Sequence, residues 1–523
     1  GGRFNQTEVE SKRYTVRNQI DFDKTWKDHA VTAIAGLEFR ENKIPTPARQ
    51  LLYGYDPQTL TSDFMNWQTY RDGVGTSALS GRTITLSGLS ATLHESRHRY
   101  ASFYANAGYS YLSRYNLSGS IRWDQADLFG LDIRNQRHPL WSIGASWILS
   151  EESFIKEISW LDYLKLRMTY GINGNVDQSS TTYFVVKKKT QSNPIKTTYL
   201  TYEDDDLPNP KLRWEKTATY NIGLDFRLFK NLISGSLEYY NRHSSDLLVR
   251  RYMDPTLGAG SRVVNNGEMR NRGVELSLTT NIIRKKDWNF AGDFNFDYNK
   301  NKMLKVDHSE SDNARVFIAS PQVYFMEGTS YNTLWAYRIH RIENGYPVAV
   351  DKDGNDLVKF NEDGTVASIT SGSSLKGTDD LVNLGSLTPK FSGSVGLRFN
   401  YKNFDLNVDF NGVSGNKILD LKKTVSWTTT NFYEKSLQRW HGEGTSNKEP
   451  ILDKSRGHNY LSSTNLLENG SYLRLRNVQL GYTLPSSAIS KLGISGLRVY
   501  VSGQNLLTFK HNTGYTPEIG GSA

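Results

Sequence analysis

Tyr220-Asn221-Ile222-Gly223-Leu224-Asp225-Phe226-Arg227-Leu228 decides the fold class. In an extended chain successive side chains point to opposite faces, so Tyr220, Ile222, Leu224, Phe226 and Leu228 share one face and Asn221, Asp225 and Arg227 the other. A helix would scatter the same residues around its circumference. The same period of two recurs outward in both directions. Leu164, Leu166, Met168 and Tyr170 oppose Lys165, Arg167 and Thr169. Phe290, Phe294, Phe296 and Tyr298 oppose Asp293, Asn295 and Asp297. Phe404, Leu406, Val408 and Phe410 oppose Asp405, Asn407 and Asp409, and Phe391, Val395, Leu397 and Phe399 repeat the pattern. This periodicity predicts an all-β, antiparallel chain.

A soluble sandwich alternates too, but two features favour a transmembrane barrel. The alternating segments run about 9–11 residues, the length of a tilted membrane strand. Their connections are also unequal. Short turns at 23–28, 111–113, 229–231, 285–287 and 402–403 alternate with long polar segments at 41–98, 176–212, 250–271, 301–388 and 413–470. Outer-membrane barrels have short periplasmic turns and long external loops. Roughly seven hairpins give about fourteen strands. The alternation predicts that Leu224, Phe226, Leu397, Phe404 and Val408 face lipid, and that Asp225, Arg227, Asp405 and Asp409 face the lumen.

Composition fits this reading. The chain of 523 residues is 37% hydrophobic and 22% charged. It contains no apolar run of the about 20 residues that a membrane helix needs. Its 30 Tyr, 22 Phe and 11 Trp argue against a solvated coil. The absence of cysteine excludes disulfides and thiolate chemistry. The net charge of +9 is spread along the chain, which argues against a nucleic-acid partner. Aromatics such as Tyr109, Tyr111, Tyr115, Trp160, Tyr239, Tyr240, Tyr298 and Tyr401 fall near strand ends, where interfacial girdles place them.

Several blocks carry a family resemblance. Trp160-Leu161-Asp162-Tyr163-Leu164-Lys165-Leu166-Arg167 runs on to Tyr170-Gly171-Ile172-Asn173-Gly174-Asn175. Leu212-Arg213-Trp214-Glu215-Lys216-Thr217 leads into the opening stretch. Asn266-Gly267-Glu268-Met269-Arg270-Asn271-Arg272-Gly273-Val274-Glu275 precedes another hairpin. Ser471-Tyr472-Leu473-Arg474-Leu475-Arg476-Asn477-Val478 and Ser502-Gly503-Gln504-Asn505-Leu506-Leu507-Thr508 come near the end. In this order the series resembles the SusC/RagA family of TonB-dependent outer-membrane transporters.

The resemblance implies a barrel of about 22 strands, of which residues 1–523 supply about fourteen, with the plug, the TonB box and a final strand lying outside this stretch. It implies the outer membrane of a Gram-negative, Bacteroidota-type cell, a SusD-like surface lipoprotein and the TonB complex as partners, and oligosaccharide or peptide cargo. It implies binding and gating rather than catalysis. Sugar recognition would use aromatic faces, and the candidates in the long segments are Trp67, Tyr70, Tyr324, Trp335, Tyr337, Trp427 and Trp440. Packing between loops is the plainer role for each. A passive porin or adhesin barrel and a soluble β-rich carbohydrate-binding protein are the alternatives.

Two motifs suggest metals. His94-Glu95-Ser96-Arg97-His98 spells the zincin pattern, but it precedes strand alternation from Arg99 and has no clear third ligand, so it reads as loop entering strand. Asp351, Asp353, Asn355 and Glu362 fall at positions 1, 3, 5 and 12 of a calcium loop. Asp356 occupies position 6, where glycine is expected, and strands rather than helices flank the loop. Two polar turns, at Asp353-Gly354 and Asp363-Gly364, are the competing reading. No other cofactor is indicated.

Overall fold

The structure, a computed structural model, describes residues 3–44, 48–53, 96–126, 139–175, 187–190, 198–201, 212–252, 261–306, 314–319, 325–370, 377–419, 437–446, 467–490 and 493–512, with a few isolated residues between them. Fourteen strands form one sheet, each neighbouring the next along the chain. They are β1 (Lys12–Trp26), β2 (His29–Ile44), β3 (Ser96–Tyr111), β4 (Tyr115–Ala126), β5 (Leu140–Ile148), β6 (Leu161–Asn175) and β7 (Glu215–Leu228). They continue as β8 (Ile233–Tyr252), β9 (Ser261–Arg284), β10 (Trp288–Lys305), β11 (Phe391–Tyr401), β12 (Phe404–Ser414), β13 (Tyr472–Thr483) and β14 (Arg498–Lys510). Every pairing in this wall is antiparallel.

Register sorts the side chains as the alternation predicts. Leu224 lies between Leu166 and Leu237, and the row continues through Leu276 and Phe296. Asp225 lies between Lys165 and Ser236 on the opposite face. Leu397 pairs with Val408, and Phe404 with Tyr401 and Tyr482, extending the apolar face to β13. Large apolar side chains on that face stand open, Ile20 at 76% and Leu117 at 50% exposure. A water-soluble sheet would cover such a surface; in a membrane wall, lipid does so.

One end of the wall has tight connections. The turns at 27–28 and 402–403 put Lys27 and Lys402 at φ of 50° and 51°, the left-handed twist that two-residue hairpins require. β1 runs on to Trp26, so the predicted 23–28 turn shrinks to two residues. Aromatic rings line this end. Trp26 stacks on His29 at 5.6 Å, Tyr111 on Tyr115 at 6.2 Å and Tyr115 on Trp147 at 6.1 Å.

The other end differs from expectation twice. Residues 250–252 and 261–271 are strand rather than loop. β8 and β9 are 20 and 24 residues long, and they pair as far as Tyr252 opposite Ser261. Hairpin pairing satisfies the backbone there even though no apolar face persists, so the alternation that marks the rest of the strand fades. Residues 301–388 are not structureless either. Beyond β10 stands a folded insertion in which strand Thr333–Glu343 pairs with Tyr346–Val350 on one side and Leu381–Ser386 on the other. A short helix, Ala314–Ala319, and a hairpin of Val358–Phe360 with Val366–Ile369 complete it. Its core holds Ala314, Phe317, Tyr337, Ala349, Leu357 and Leu381. Asn344-Gly345, at φ of 48° and 81°, forms its tight turn.

Candidate functional site

The polar face of the wall is the surface that a solute in the lumen would meet. It carries charge in compensated clusters. On β6–β8, the Arg167 guanidinium donates twice to Asp225, at 2.8 Å each, and once to Glu238 at 2.7 Å. The Asn221 amide donates to the other Glu238 oxygen at 3.0 Å. Strand alternation puts these four on one face, and the register brings them level. On β1–β4, Arg17 is paired with Glu38, Arg122 donates to Asp124 at 2.7 Å and to the Ser102 hydroxyl at 2.9 Å, and the Tyr104 hydroxyl donates to Gln19 at 2.7 Å. On β9–β14, Arg398 pairs with Asp293, Thr279 donates to Asp293 at 2.9 Å, Asn477 donates to Asp409 at 3.0 Å, and Arg498 holds Asp405 at 2.5 and 3.0 Å.

Opposite charges facing each other across adjacent strands fix register. They also leave a surface rich in amides, hydroxyls and paired ions, on which Glu275 and Asp297 add two carboxylates facing each other across β9 and β10. A cleft of about 480 Å³ on this face is lined by Glu238, Glu275, Asn295, Asp297, Ser394 and Asn411. A larger hollow of about 780 Å³ lies on the wall at β1–β5, where small residues such as Ala33, Ala35, Ala105 and Ala107 leave room between Ile20 and Trp141. Its apolar lining suits lipid chains rather than a polar solute.

The aromatic candidates are not gathered into one site. Tyr337 is 6% exposed and belongs to the core of the insertion, and Trp335 packs against that core. Trp440 is half-buried against the insertion's turn, with its ring carbon 2.6 Å from where a Gly345 Cβ would sit. Only glycine admits the indole there. The Ile451 amide closes the contact by donating to the Gly345 carbonyl at 2.7 Å. These three therefore pack within and against the insertion, the plainer of the two roles the sequence offers for them, and Tyr337 is a core residue. Trp67, Tyr70, Tyr324 and Trp427 lie outside the described residues.

The metal candidates are not assembled as a ligand set. Among the described residues no group of three or more His, Asp or Glu is placed to hold an ion. Asp351 instead organises a turn: one carboxylate oxygen accepts from the amides of Asp353 at 2.9 Å and Asn355 at 2.8 Å, the other from the Asn355 side chain at 3.0 Å. Those donors hold its carboxyl below the ordinary range, the Asn355 side chain most strongly. Asp356 is held low by the Arg341 guanidinium, which donates to it at 2.9 and 2.7 Å. Asp353 is exposed. In the zincin pattern, Ser96, Arg97 and His98 lie on β3, while His94 and Glu95 lie outside the described residues.

Sequence reasoning located the polar positions but missed the charge clusters as clusters. Arg167 and Glu238 are 71 residues apart. Only strand register makes them neighbours, and no signal short of register could have paired them.

These features define a class: the wall of a transmembrane antiparallel β-barrel with a polar lumen face and elaborate loops at one end. Residues 1–506 match the family model described as TonB dependent receptor-like, beta-barrel. The chain belongs to this family. It is 29% identical over 465 residues to TonB-dependent receptor P3 of Formosa agariphila, covering 84% of this chain and 44% of that protein. It is 28% identical over 451 residues to TonB-dependent receptor SusC of Bacteroides thetaiotaomicron, covering 82% of this chain and 42% of that one. The fold matches the RagAB peptide transporter with a TM-score of 0.72 at 24% identity, covering 99% of this chain and 54% of that one. The chain thus spans about half the length of the curated relatives it matches. Its place is the outer membrane of a Bacteroidota-type bacterium.

Proposed function

We propose that this chain is most of the barrel wall of an active importer, TonB-dependent and SusC-like, that carries oligosaccharides or peptides across the outer membrane together with a SusD-like surface lipoprotein. The observation that carries this reading is the family match over residues 1–506, on a wall whose register separates an apolar face from a polar one. Work is done by binding and gating. Compensated clusters such as Arg167–Asp225–Glu238 line part of the path. In this reading the folded insertion and the segment around Trp440 close over the cargo and meet the lid. No covalent step belongs to this mechanism.

The wall also requires more polypeptide. Among the described residues β1 and β14 each pair on one side, and every residue of Lys12–Trp26 is exposed. Unpaired backbone groups facing lipid cost several kcal/mol each, so further strands close the barrel and a plug fills it. Purification of the full-length protein from outer membranes in mild detergent is expected to bring a surface lipoprotein with it at near-equal amounts. A monodisperse barrel that carries no other protein would remove the lid from the account.

A further inference from the structure

The apolar face of the wall ends sharply on β9 and β10, and cations take over. On β10 this face runs from Trp288 through Phe290, Phe294 and Phe296 to Tyr298. Ten residue steps at about 3.3 Å, tilted by about 40°, span about 25 Å, the height of a membrane barrel's apolar band. The next two positions on the same face are Lys300 and Lys302. Directly opposite them on β9 stand Arg272 and Arg270, two and four residues beyond Val274. All four are exposed.

Like charges directly opposite across a strand pair destabilise it. Here two successive rows do this, within a patch about 7 Å on an edge. None of the four cations has a carboxylate partner among the described residues. The next residue on this face of β9, Glu268, lies 3.4 Å from His243 instead. Behind the patch, Asn301 donates to Asn271 at 2.6 Å, a neutral pair that supplies no compensating charge. The rows continue on β8 and β7 with groups that bind anions: Asn241 and the Tyr220 hydroxyl beside Arg272, and His243 beside Arg270. Elsewhere on the same rim, where Lys43 faces Arg97, a carboxylate stands among the cations. On β2 and β3 the residues beyond Phe39 and Ala101 are Glu41 and Arg99, joined at 2.7 Å. Repulsion left unrelieved just above the apolar band, on the face that meets lipid, is the arrangement that a bound anion would satisfy.

We propose that Arg270, Arg272, Lys300 and Lys302 form a binding site for the phosphorylated headgroup of an outer-leaflet lipid. Its acyl chains would descend over Tyr298, Phe296 and Leu276, and the guanidinium groups would take phosphate oxygens in pairs. The inference rests on the reading that the long-loop end of the wall faces outward.

The test uses full-length protein, stripped of lipid in detergent and titrated with diphosphoryl lipid A. Binding is read by native mass spectrometry and by the shift in melting midpoint. The variant Arg270→Gln/Arg272→Gln/Lys300→Gln/Lys302→Gln is expected to bind at least tenfold more weakly than wild type. Wild type should lose a similar factor with dephosphorylated lipid A. Lys285→Gln/Lys286→Gln/Lys352→Gln/Lys359→Gln, which removes equal charge elsewhere, should bind as wild type does. Without lipid the first variant should melt at or above the wild-type midpoint, because repulsion is relieved. Equal affinity of the two variants would overturn the site. Full competition by inorganic phosphate at matched concentration would overturn the lipid assignment. An equal loss of stability with and without lipid would mark a structural role and overturn it as well. Because cargo and energisation play no part here, a negative result leaves the importer reading standing, and a failure of uptake leaves this one standing.

Discussion

Leu237→Arg is expected to destabilise the barrel by about 2–4 kcal/mol, and Ser236→Arg, one residue away, by much less. Leu237 sits between Leu224 and Leu276 on the apolar face, where it is 43% exposed to what would be lipid. An arginine there must desolvate or drag water and headgroups inward. Ser236 sits between Asp225 and Ser277 on the polar face, where a new guanidinium meets a carboxylate. Denaturant unfolding in detergent–lipid micelles measures both. Similar costs at the two positions would show that the faces are exchanged, since a slip of one residue inverts them.

Phe317→Ala is expected to cost the external insertion about 3–5 kcal/mol while leaving the wall intact. Phe317 is 1% exposed and packs with Ala314, Tyr337, Ala349, Leu357 and Leu381. The insertion is small, so a loss of this size approaches the whole stability of such a unit. Hydrogen exchange should therefore show Thr333–Glu343 and Leu381–Ser386 losing protection, with β7–β9 unchanged. Fast exchange spreading through β7–β9 would mean that insertion and wall are one cooperative unit.

How much of this was legible in the sequence follows from what each feature depends on. The wall was legible because membrane strands obey a two-residue period over their whole length. Leu224 and Phe226 against Asp225 needed no partner to be read, and the turns at 229–231, 285–287 and 402–403 were found where the period breaks. The extension of β8 and β9 through 250–252 and 261–271 was not legible. Above the membrane both faces of a hairpin meet water, so Arg250, Arg251 and Arg262 look like loop residues although they pair in register. The insertion was half legible. Tyr346–Val350 was readable as a strand, but the core that buries Tyr337 is assembled from Ala314 to Leu381, too far apart for a local pattern. For the same reason the sequence leaves Trp335, Tyr337 and Trp440 open between ligand contact and packing, and the described structure has them packed. The charge clusters of the lumen face depend on register alone, which no single strand encodes.

Lumen clusters and insertion come from different parts of the pattern, and the proposed import would draw on both. The Arg167 guanidinium, fully engaged by Asp225 and Glu238, belongs to the fixed scaffold. The turns at Asp353-Gly354 and Asp363-Gly364, with glycine φ of 86° and 78°, belong to the part that meets the outside.

Energised uptake tests the central claim most directly. Cells carrying the full-length gene, and cells lacking it, are given fluorescently labelled oligosaccharide and peptide mixtures, with and without a protonophore that collapses the inner-membrane gradient. The account predicts accumulation in the periplasm that requires the gene and is lost on collapse. Gene-dependent entry that persists undiminished after collapse would make the barrel a passive pore and contradict it.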